Sequence, residues 1–344
     1  MMRCLTLADE LRAAGFEPVF ISRRLEGDMG EYVQRRGYSV FWIGREEPLH
    51  DSDFGWEADV EQTVEILQRF ETSPEWLIVD HYGIDHRWEA AVRSFVQRLF
   101  IIDDLANRKH VCDFLLDQNA YDRQEDRYRG LVPANCRMLL GPQYLILRTS
   151  FYEQRRLFRR RDGQVRKMLV FFGGSDPTNE TEKALAALST LDLKGVETNV
   201  IIGAANPNRE RIIRTCRQMP RVSLHIQIEE MAERMAEADF ALGAGGIAMW
   251  ERCYLGLPSA VAIVADNQRE SVHKAAQSGA VWNLGWHDHT CPEAYADIIR
   301  LAFDSPRELI AMGRKAMELT GSRADRTCSR AVAAMLTEER QRVE

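Results

Sequence analysis

The chain has 344 residues, 45% of them hydrophobic, which is enough for two domains of ordinary size. Its formal net charge is −7, with 45 basic and 52 acidic side chains, so overall charge gives no support for binding to nucleic acid or to an acidic membrane. No apolar run approaches the ~20 residues of a membrane span and no signal peptide opens the chain, so we expect a cytoplasmic protein.

Apolar, strand-like runs alternate with helical patterns along the whole chain. We predict strands at Pro18–Ser22, Val40–Ile43, Trp76–Asp80, Leu99–Asp103, Phe114–Asp117, Met168–Phe172, Thr198–Ile202, Val222–Ile226, Phe240–Gly243, Ser259–Ile263 and Val281–Leu284. We predict helices at Met1–Ala14, Val60–Phe70, Trp88–Gln97, Glu180–Leu188, Pro207–Gln218, Met231–Glu237, Met249–Leu255, Glu270–Gln277 and Pro292–Ala302. This α/β alternation predicts parallel sheets with helices on both faces, and such sheets bind ligands beyond the carboxyl ends of their strands.

An arginine-rich segment divides the strands into two sets. Thr149–Lys167 contains few apolar residues, and we interpret its arginines as a solvated helix face. The prediction is an N-terminal domain at 1–150, a C-terminal domain at 151–336 and a charged tail at 337–344. Within the second range, Arg307–Leu336 has a helical pattern and is expected to pack back across the first domain.

The first predicted element is a helix rather than a strand. Met1–Ala14 is amphipathic, with Leu5, Leu7 and Leu11 on its apolar side. A βαβ unit needs a strand before that helix, so the first domain is expected to lack its first strand. The alternative is a sheet that is simply one strand smaller.

The stretch 240–268 is typical of a strand, a glycine turn, a helix and a second strand. Gly245 and Gly246 remove side chains where the backbone enters the helix, so that N–H groups and the positive helix end can face a phosphate. Glu251 lies about one and a half turns into this helix, from which its carboxylate can accept hydrogen bonds from a ribose. The alternative is a tight turn without a ligand.

A second turn of the same kind follows the apolar run Met168–Phe172. Gly173 and Gly174 permit the turn, and Ser175 or Asp176 can cap the helix that follows. Two such turns at two strand ends of one parallel sheet could hold a nucleotide diphosphate between them.

Longer stretches resemble the UDP-2,4-diacetamido-2,4,6-trideoxy-β-L-altropyranose hydrolases of pseudaminic acid biosynthesis. The matching stretches are MRCLTLADEL (2–11), VDHYGID (79–85), IIDDLANRKHVCDFLLDQN (101–119), LLGPQYLILR (139–148), FFGGSDPTNET (171–181) and GAGGIAMWERCYLGLPSAVAIVADNQ (243–268). The resemblance implies two Rossmann-like domains in the GT-B arrangement. It also implies hydrolysis of the nucleotide sugar to the free sugar and UDP.

The resemblance also bears on the start of the chain. In the family, an opening strand and a Gly-x-Gly-His turn come just before the residues equivalent to Met1–Cys4, and that histidine is the proposed catalytic residue. We therefore expect Met1 to mark a misplaced start. If the chain does begin at Met1, the expectation is a UDP-sugar binder with little or no catalysis.

The implied reaction is attack of water on the anomeric carbon with loss of UDP. It needs a water-positioning group and a fixed positive potential for the diphosphate, which the two helix starts could supply without a metal or cofactor. Tyr82 and Asn267 are the expected catalytic residues, although Tyr82 could instead be a packed loop aromatic and Asn267 part of a structural turn. The expected nucleotide-binding residues are Gly173, Gly174, Ser175, Met231, Gly245, Gly246 and Glu251. Met231 resembles the position whose backbone meets the uracil edge in this fold, and the alternative is a core methionine.

Three further interpretations concern chemistry and partners. Seven scattered cysteines without a CxxC pair predict reduced thiols and no metal site. Arg108 is interpreted as a structural brace of the polar loop that also contains Asp103, whose role is left open. The partner is expected to be a small-molecule UDP-sugar, bound by a monomer.

The runner-up activity is that of a UDP-sugar-dependent glycosyltransferase. Membrane-facing members of that fold tend to carry a basic, apolar patch on the first domain. Here the corresponding loop, Arg45–Asp59, is acidic overall, which argues against a polyisoprenoid acceptor.

Overall fold

The computed structural model describes residues 1–25, 28–44, 55–157, 159–321 and 329–335. The chain divides into two compact units. The first unit is made of residues 1–118, 123–146 and the described C-terminal residues 329–335, and the second is made of residues 119–122 and 147–321. Residues 329–335 thus pack with the first unit, whereas the expected boundary put them in the second domain. The expected charged tail, 337–344, lies outside the described residues.

The first unit contains two parallel sheets that are not hydrogen-bonded to each other in the described structure. One has the strand order β1-β2 and the other β3-β4-β5-β6. Its strands are β1 (Phe20–Arg23), β2 (Val40–Ile43), β3 (Trp76–Val79), β4 (Arg98–Ile102), β5 (Phe114–Asp117) and β6 (Arg137–Leu140). Its helices are α1 (Met2–Ala13), α2 (Gly30–Arg35), α3 (Trp56–Leu67) and α4 (His86–Val92).

Helix α1 is amphipathic, as its sequence predicts. Leu7 and Leu11 are buried in a cluster with Phe100 and Phe114 of the larger sheet, and Val332 of the C-terminal segment joins the same cluster. This packing accounts for the place of residues 329–335 in the first unit, because burying apolar area is the main favourable term in folding.

The second unit contains one parallel sheet with the described strand order β12-β11-β10-β7-β8-β9. Its strands are β7 (Lys167–Phe171), β8 (Glu197–Ile202), β9 (Val222–Ile226), β10 (Phe240–Ala244), β11 (Ser259–Ile263) and β12 (Trp282–Trp286). Its helices are α5 (Thr149–Arg156), α6 (Glu180–Ser189), α7 (Arg209–Gln218), α8 (Met231–Glu237), α9 (Ile247–Tyr254), α10 (Arg269–Gln277), α11 (Pro292–Asp304) and α12 (Pro306–Leu319). Strands β10 and β11 are buried on both faces, which explains their continuous apolar sequences.

The sequence prediction missed some elements. Strand β6 was missed because its run of three apolar residues follows a charged, exposed arginine, Arg137. Helix α5 forms inside Thr149–Lys167, the segment whose arginines were interpreted as a solvated helix face. Two arginines of that segment are in fact largely buried. Arg155 donates to the carbonyl of Tyr254, and Arg161 donates to five backbone carbonyls at the ends of α8 and α9.

Among the described helices, none has the length and apolar character needed to cross a bilayer.

Candidate functional site

The two glycine turns lie at the ends of neighbouring strands in the second unit. Strand β7 pairs with β10 in parallel, with Phe171 opposite Gly243, and each strand then enters a glycine turn. From β7 the chain moves outward to β8 and β9, whereas from β10 it moves in the opposite direction to β11 and β12. The β7/β10 boundary is therefore the topological switch point, where open α/β sheets bind ligands beyond the carboxyl ends of their strands.

The first turn has room for a ligand. Gly173 has a φ of +102°, and no described atom lies within 4 Å of the position that a Cβ would take on Gly173 or Gly174. The turn is supported by Gly203, which follows β8 and donates its N–H to the Gly174 carbonyl at 3.0 Å. A Cβ on Gly203 would lie 2.3 Å from that oxygen, so a side chain there would displace the turn. Sequence reasoning missed Gly203, although a glycine directly after a strand was the available signal.

Asp176 caps the helix that follows the first turn. Its carboxylate accepts hydrogen bonds of 2.9 Å from the N–H groups of Glu180 and Thr181, which confirms one of the two predicted caps. Ser175, the other predicted cap, is exposed. Because Asp176 accepts from these two amides, the N–H groups of Glu180 and Thr181 are not available to an anion.

The second turn leads directly into α9. Gly245 donates to the carbonyl of Ala262 at 3.2 Å, and Gly246, with a φ of +76°, is the N-cap of the helix. A Cβ on Gly245 would lie 2.8 Å from Gln268 Oε1, so the turn is tightly packed on one side. The amides of Ile247 and Ala248 begin the helix and have no partner within it. Such amides and the helix dipole favour an anion.

Glu251 lies on α9, on the same element as the second turn. Its side chain is 14% exposed, and its Oε1 lies 3.9 Å from Nη2 of Arg148. Burial raises the pKa of Glu251 to about 7, against the opposing charges of Arg148 and Arg252. A carboxylate with a perturbed pKa at a ligand-binding edge is typical of a functional site.

Two more predicted residues lie in the second unit. Met231 is the first residue of α8 and is buried, so its side chain belongs to the core, while its backbone stands at the helix start. Asn267 is exposed within a short 3-10 turn, Asp266–Gln268, after β11. Neither observation tests a contact with a ligand, and both roles stay predictions.

Tyr82 lies in a polar pocket of the first unit. A cavity of about 420 Å³ is lined by Met1, Arg3, Asp80, His81, Tyr82 and Gly83. The Tyr82 side chain is half exposed and donates its hydroxyl to Asp104 Oδ1 at 2.8 Å. Burial and the Asp104 charge raise the pKa of Tyr82 to about 12, so the phenol stays protonated at neutral pH.

An ion pair forms one wall of this pocket. Arg3 donates two hydrogen bonds to the Asp80 carboxylate, from Nε at 2.9 Å and from Nη2 at 2.6 Å. The Cys4 thiol donates to the same carboxylate at 3.1 Å. Burial alone would raise the pKa of Asp80, but Arg3 outweighs it and lowers the value. Asp80 is thus a partly buried, paired carboxylate that is held ionised.

The loop that carries Asp104 is anchored by buried charges. Arg108 donates to the carbonyls of Ile84 and His81 at 2.7 and 3.2 Å and lies 2.7 Å from Asp103, which confirms its interpretation as a brace. His110 Nδ1 lies 2.6 Å from Glu89 Oε1, and its Nε2 is 3.8 Å from Asp103. Burial would lower the pKa of His110, but these two carboxylates outweigh it and raise it to about 9.

The described residues contain no group of three or more His, Cys, Asp or Glu side chains that could hold a metal ion.

Comparison with known proteins adds to this geometry. No protein-family model matches the chain. It is 29% identical over 167 residues to the UDP-2,4-diacetamido-2,4,6-trideoxy-β-L-altropyranose hydrolase of Campylobacter jejuni, across 48% of this chain and 57% of that protein. It is 34% identical over 160 residues to the spore coat polysaccharide biosynthesis protein SpsG of Bacillus subtilis, across 46% of this chain and 47% of that protein. The chain spans about half the length of the curated relatives it matches.

Solved structures share the fold over most of the chain. MurG of Acinetobacter baumannii matches with a TM-score of 0.63 at 14% identity, covering 92% of this chain and 91% of that one. UGT89C1 of Arabidopsis thaliana, in complex with UDP-L-rhamnose, matches with a TM-score of 0.61 at 12% identity, covering 92% and 89%. The chain thus has the GT-B fold of two Rossmann-like domains and is related to nucleotide-sugar enzymes, and its resemblance to the altropyranose hydrolase family is confirmed.

Proposed function

We propose that this protein hydrolyses UDP-2,4-diacetamido-2,4,6-trideoxy-β-L-altropyranose to the free sugar and UDP. The observation that carries the proposal is the pair of glycine turns at the switch point of the second unit, with the buried carboxyl of Glu251 on the helix of one turn. The similarity to the Campylobacter jejuni hydrolase supports the choice of reaction and sugar.

The second unit supplies the nucleotide site in this proposal. The diphosphate lies against the open first turn at Gly173 and Gly174, and against the helix-start amides of Ile247 and Ala248. These amides oppose the negative charge that grows on the leaving diphosphate as the glycosyl bond breaks. The carboxylate of Glu251 accepts hydrogen bonds from the ribose hydroxyls, and Met231 offers its backbone to the uracil edge.

The reaction is a displacement at carbon. Water attacks the anomeric carbon, the C–O bond to the diphosphate breaks with its electron pair leaving on UDP, and the proton that the attacking water loses passes to the solvent. Asn267 is the proposed group that orients the sugar or the water. Tyr82, with its protonated hydroxyl, is the proposed hydrogen-bonding group for a hydroxyl or acetamido substituent of the sugar.

The test is turnover of the UDP-sugar in ¹⁸O-enriched water without any acceptor. We expect equimolar UDP and free sugar, with the label on the anomeric hydroxyl and none on the phosphate. Label in UDP would show cleavage of the P–O bond and contradict the mechanism. Absence of UDP binding by calorimetry would contradict the whole proposal.

The same assay separates hydrolysis from transfer. UDP release that requires an added alcohol or lipid acceptor would favour a glycosyltransferase. Most of the acidic loop Arg45–Asp59, namely residues 45–54, lies outside the described residues.

A further inference from the structure

Arg252 is a fully buried cation directly behind the second glycine turn. It lies on α9, its side chain has 0% exposure, and its Nη2 donates to the carbonyl of Ala244 at 2.7 Å. Its Nε and Nη1 have no hydrogen-bond partner in the described structure. Buried arginines are almost always paired, so an arginine with two unpaired N–H groups is unusual.

The guanidinium reaches the boundary between the two turn-bearing strands. A Cβ placed on Gly243 would lie 2.5 Å from Arg252 Nη1 and 2.6 Å from the carbonyl oxygen of Phe171. Phe171 ends β7 and Gly243 lies at the end of β10, so the positive charge lies beneath both strand ends. The absent side chain at Gly243 is what gives the guanidinium its space.

Within the described part of the chain, no carboxylate pairs directly with the Arg252 guanidinium. Cys253 and Glu251 are the described acidic groups that act on Arg252, but the carboxyl of Glu251 faces Arg148 at 3.9 Å instead. Burial lowers the pKa of Arg252 to about 10, which still leaves the guanidinium charged at neutral pH. A buried cation without a counter-ion is costly, and an anion bound close by offsets that cost.

We propose that Arg252 is a positioning residue for the diphosphate, with its buried charge serving as the counter-charge of the bound anion at the two strand ends. It acts in two ways. It fixes the Ala244 carbonyl, which sets the peptide that enters the glycine turn, and it gives the turn a positive potential in a region of low dielectric constant. The inference rests on the proposed function and adds to it a residue that the ligand does not touch.

The test compares ligands with and without phosphate. Calorimetry measures the affinities of UDP, uridine and inorganic pyrophosphate for the wild type and for Arg252→Met, which keeps the volume and removes the charge. We expect Arg252→Met to weaken UDP and pyrophosphate by roughly tenfold or more and to leave uridine within about twofold. The melting temperature without ligand is expected to stay the same or rise, because an uncompensated buried charge is removed.

Two variants serve as controls. Arg252→Lys retains the charge and is expected to keep the ratio of UDP to uridine affinity near that of the wild type. Arg155→Met removes another buried arginine of the same unit, one that donates to Tyr254 at the opposite end of α9. It is expected to lower the melting temperature without changing the affinity ratio. If Arg252→Met does not fold, the ratio of UDP to uridine affinity in Arg252→Lys alone decides whether the role of Arg252 stands.

The outcomes distinguish this inference from the proposed function. Equal weakening of uridine and UDP by Arg252→Met, or no change in either, overturns the role of Arg252 while the proposed function stands. A folded Arg252→Lys protein whose ratio of UDP to uridine affinity falls well below that of the wild type overturns the role of Arg252 as well. A wild type that binds pyrophosphate in an Arg252-dependent manner but not UDP supports the inference and defeats the proposed function. A wild type that binds neither defeats both.

Discussion

The amide of Gly203 donates to the carbonyl of Gly174 at 3.0 Å, and the two backbones approach so closely that no side chain fits at position 203. This contact joins the end of β8 to the first glycine turn. It makes the shape of the turn depend on a residue about thirty positions further along the chain.

Gly203→Ala is expected to destabilise the protein and to weaken UDP binding together. The added methyl would lie 2.3 Å from a backbone oxygen, so the turn must shift, at a cost of about 1–3 kcal/mol in the free energy of unfolding. Urea unfolding and UDP calorimetry on the same preparation measure both effects. A variant as stable as the wild type would show that the turn can move to accommodate the methyl group, and would contradict a rigid contact between Gly203 and Gly174.

Gly174→Ala is the matched variant on the other side of the same contact. A Cβ at Gly174 faces open space, so the free energy of unfolding is expected to change by less than about 1 kcal/mol. The methyl would project where the diphosphate is proposed to bind, and we expect UDP affinity to fall roughly tenfold while uridine affinity is kept. Unchanged UDP binding would remove this turn from the site.

Local sequence patterns predicted most of the strands and both glycine turns. The run Ala260–Ile263 is apolar because β11 is buried on both faces, and Gly246 is required by a positive φ, so the sequence at each place carries its own structural reason. Strand β6 lacks such a signal, because it contains one charged and exposed residue among three apolar ones.

The residues missed at the site depend on contacts distant in sequence. Gly203 matters only because Gly174 lies against it, and Arg252 matters only because the ends of β7 and β10 lie above its guanidinium. The arginines of the segment Thr149–Lys167 also depend on contacts that are distant in sequence. Arg161 was interpreted as solvated, yet the backbone carbonyls that surround it belong to residues more than seventy positions away.

Glu251→Gln is expected to change the pH dependence of both stability and uridine binding. The pKa of Glu251 is raised to about 7 in the folded protein, above its unfolded value, so the wild type loses stability as pH rises from about 4.5 to about 7. Each pKa unit corresponds to about 1.4 kcal/mol. Glutamine does not titrate, so the free energy of unfolding of Glu251→Gln, measured in urea, should rise relative to that of the wild type across this pH range.

Uridine is the suitable ligand for the binding part of this test, because it carries no titrating phosphate. If the ionised carboxylate holds the ribose, wild-type affinity for uridine should rise between pH 6 and 8, and that of Glu251→Gln should be lower and flat. A flat wild-type profile would show that Glu251 does not bind the ribose in its charged form.

His110→Gln tests the buried charges under the Asp104 loop. The pKa of His110 is raised to about 9, so its stabilising charge is fully present below about pH 6.5 and is lost as pH rises towards 9. We expect the variant to be less stable by about 3 kcal/mol at pH 6, because Glu89 is left as an unpaired buried carboxylate. The difference from the wild type should shrink by pH 9. A difference that is constant with pH would mean that the imidazole is neutral in the folded protein.

Tyr82→Phe separates a sugar-contacting role from a structural one. The Tyr82 ring is half exposed and its hydroxyl binds Asp104 at the surface, so the free energy of unfolding should change by no more than about 0.5 kcal/mol. If the hydroxyl binds the sugar, kcat/KM for the UDP-sugar should fall about tenfold, while UDP affinity stays unchanged. Tyr38→Phe is the control, since Tyr38 also donates to an aspartate, Asp9, at 2.6 Å, but is buried away from the cavity wall. That variant should lose stability and keep its kcat/KM. Equal kcat/KM values for Tyr82→Phe and the wild type would leave Tyr82 as a packed loop aromatic.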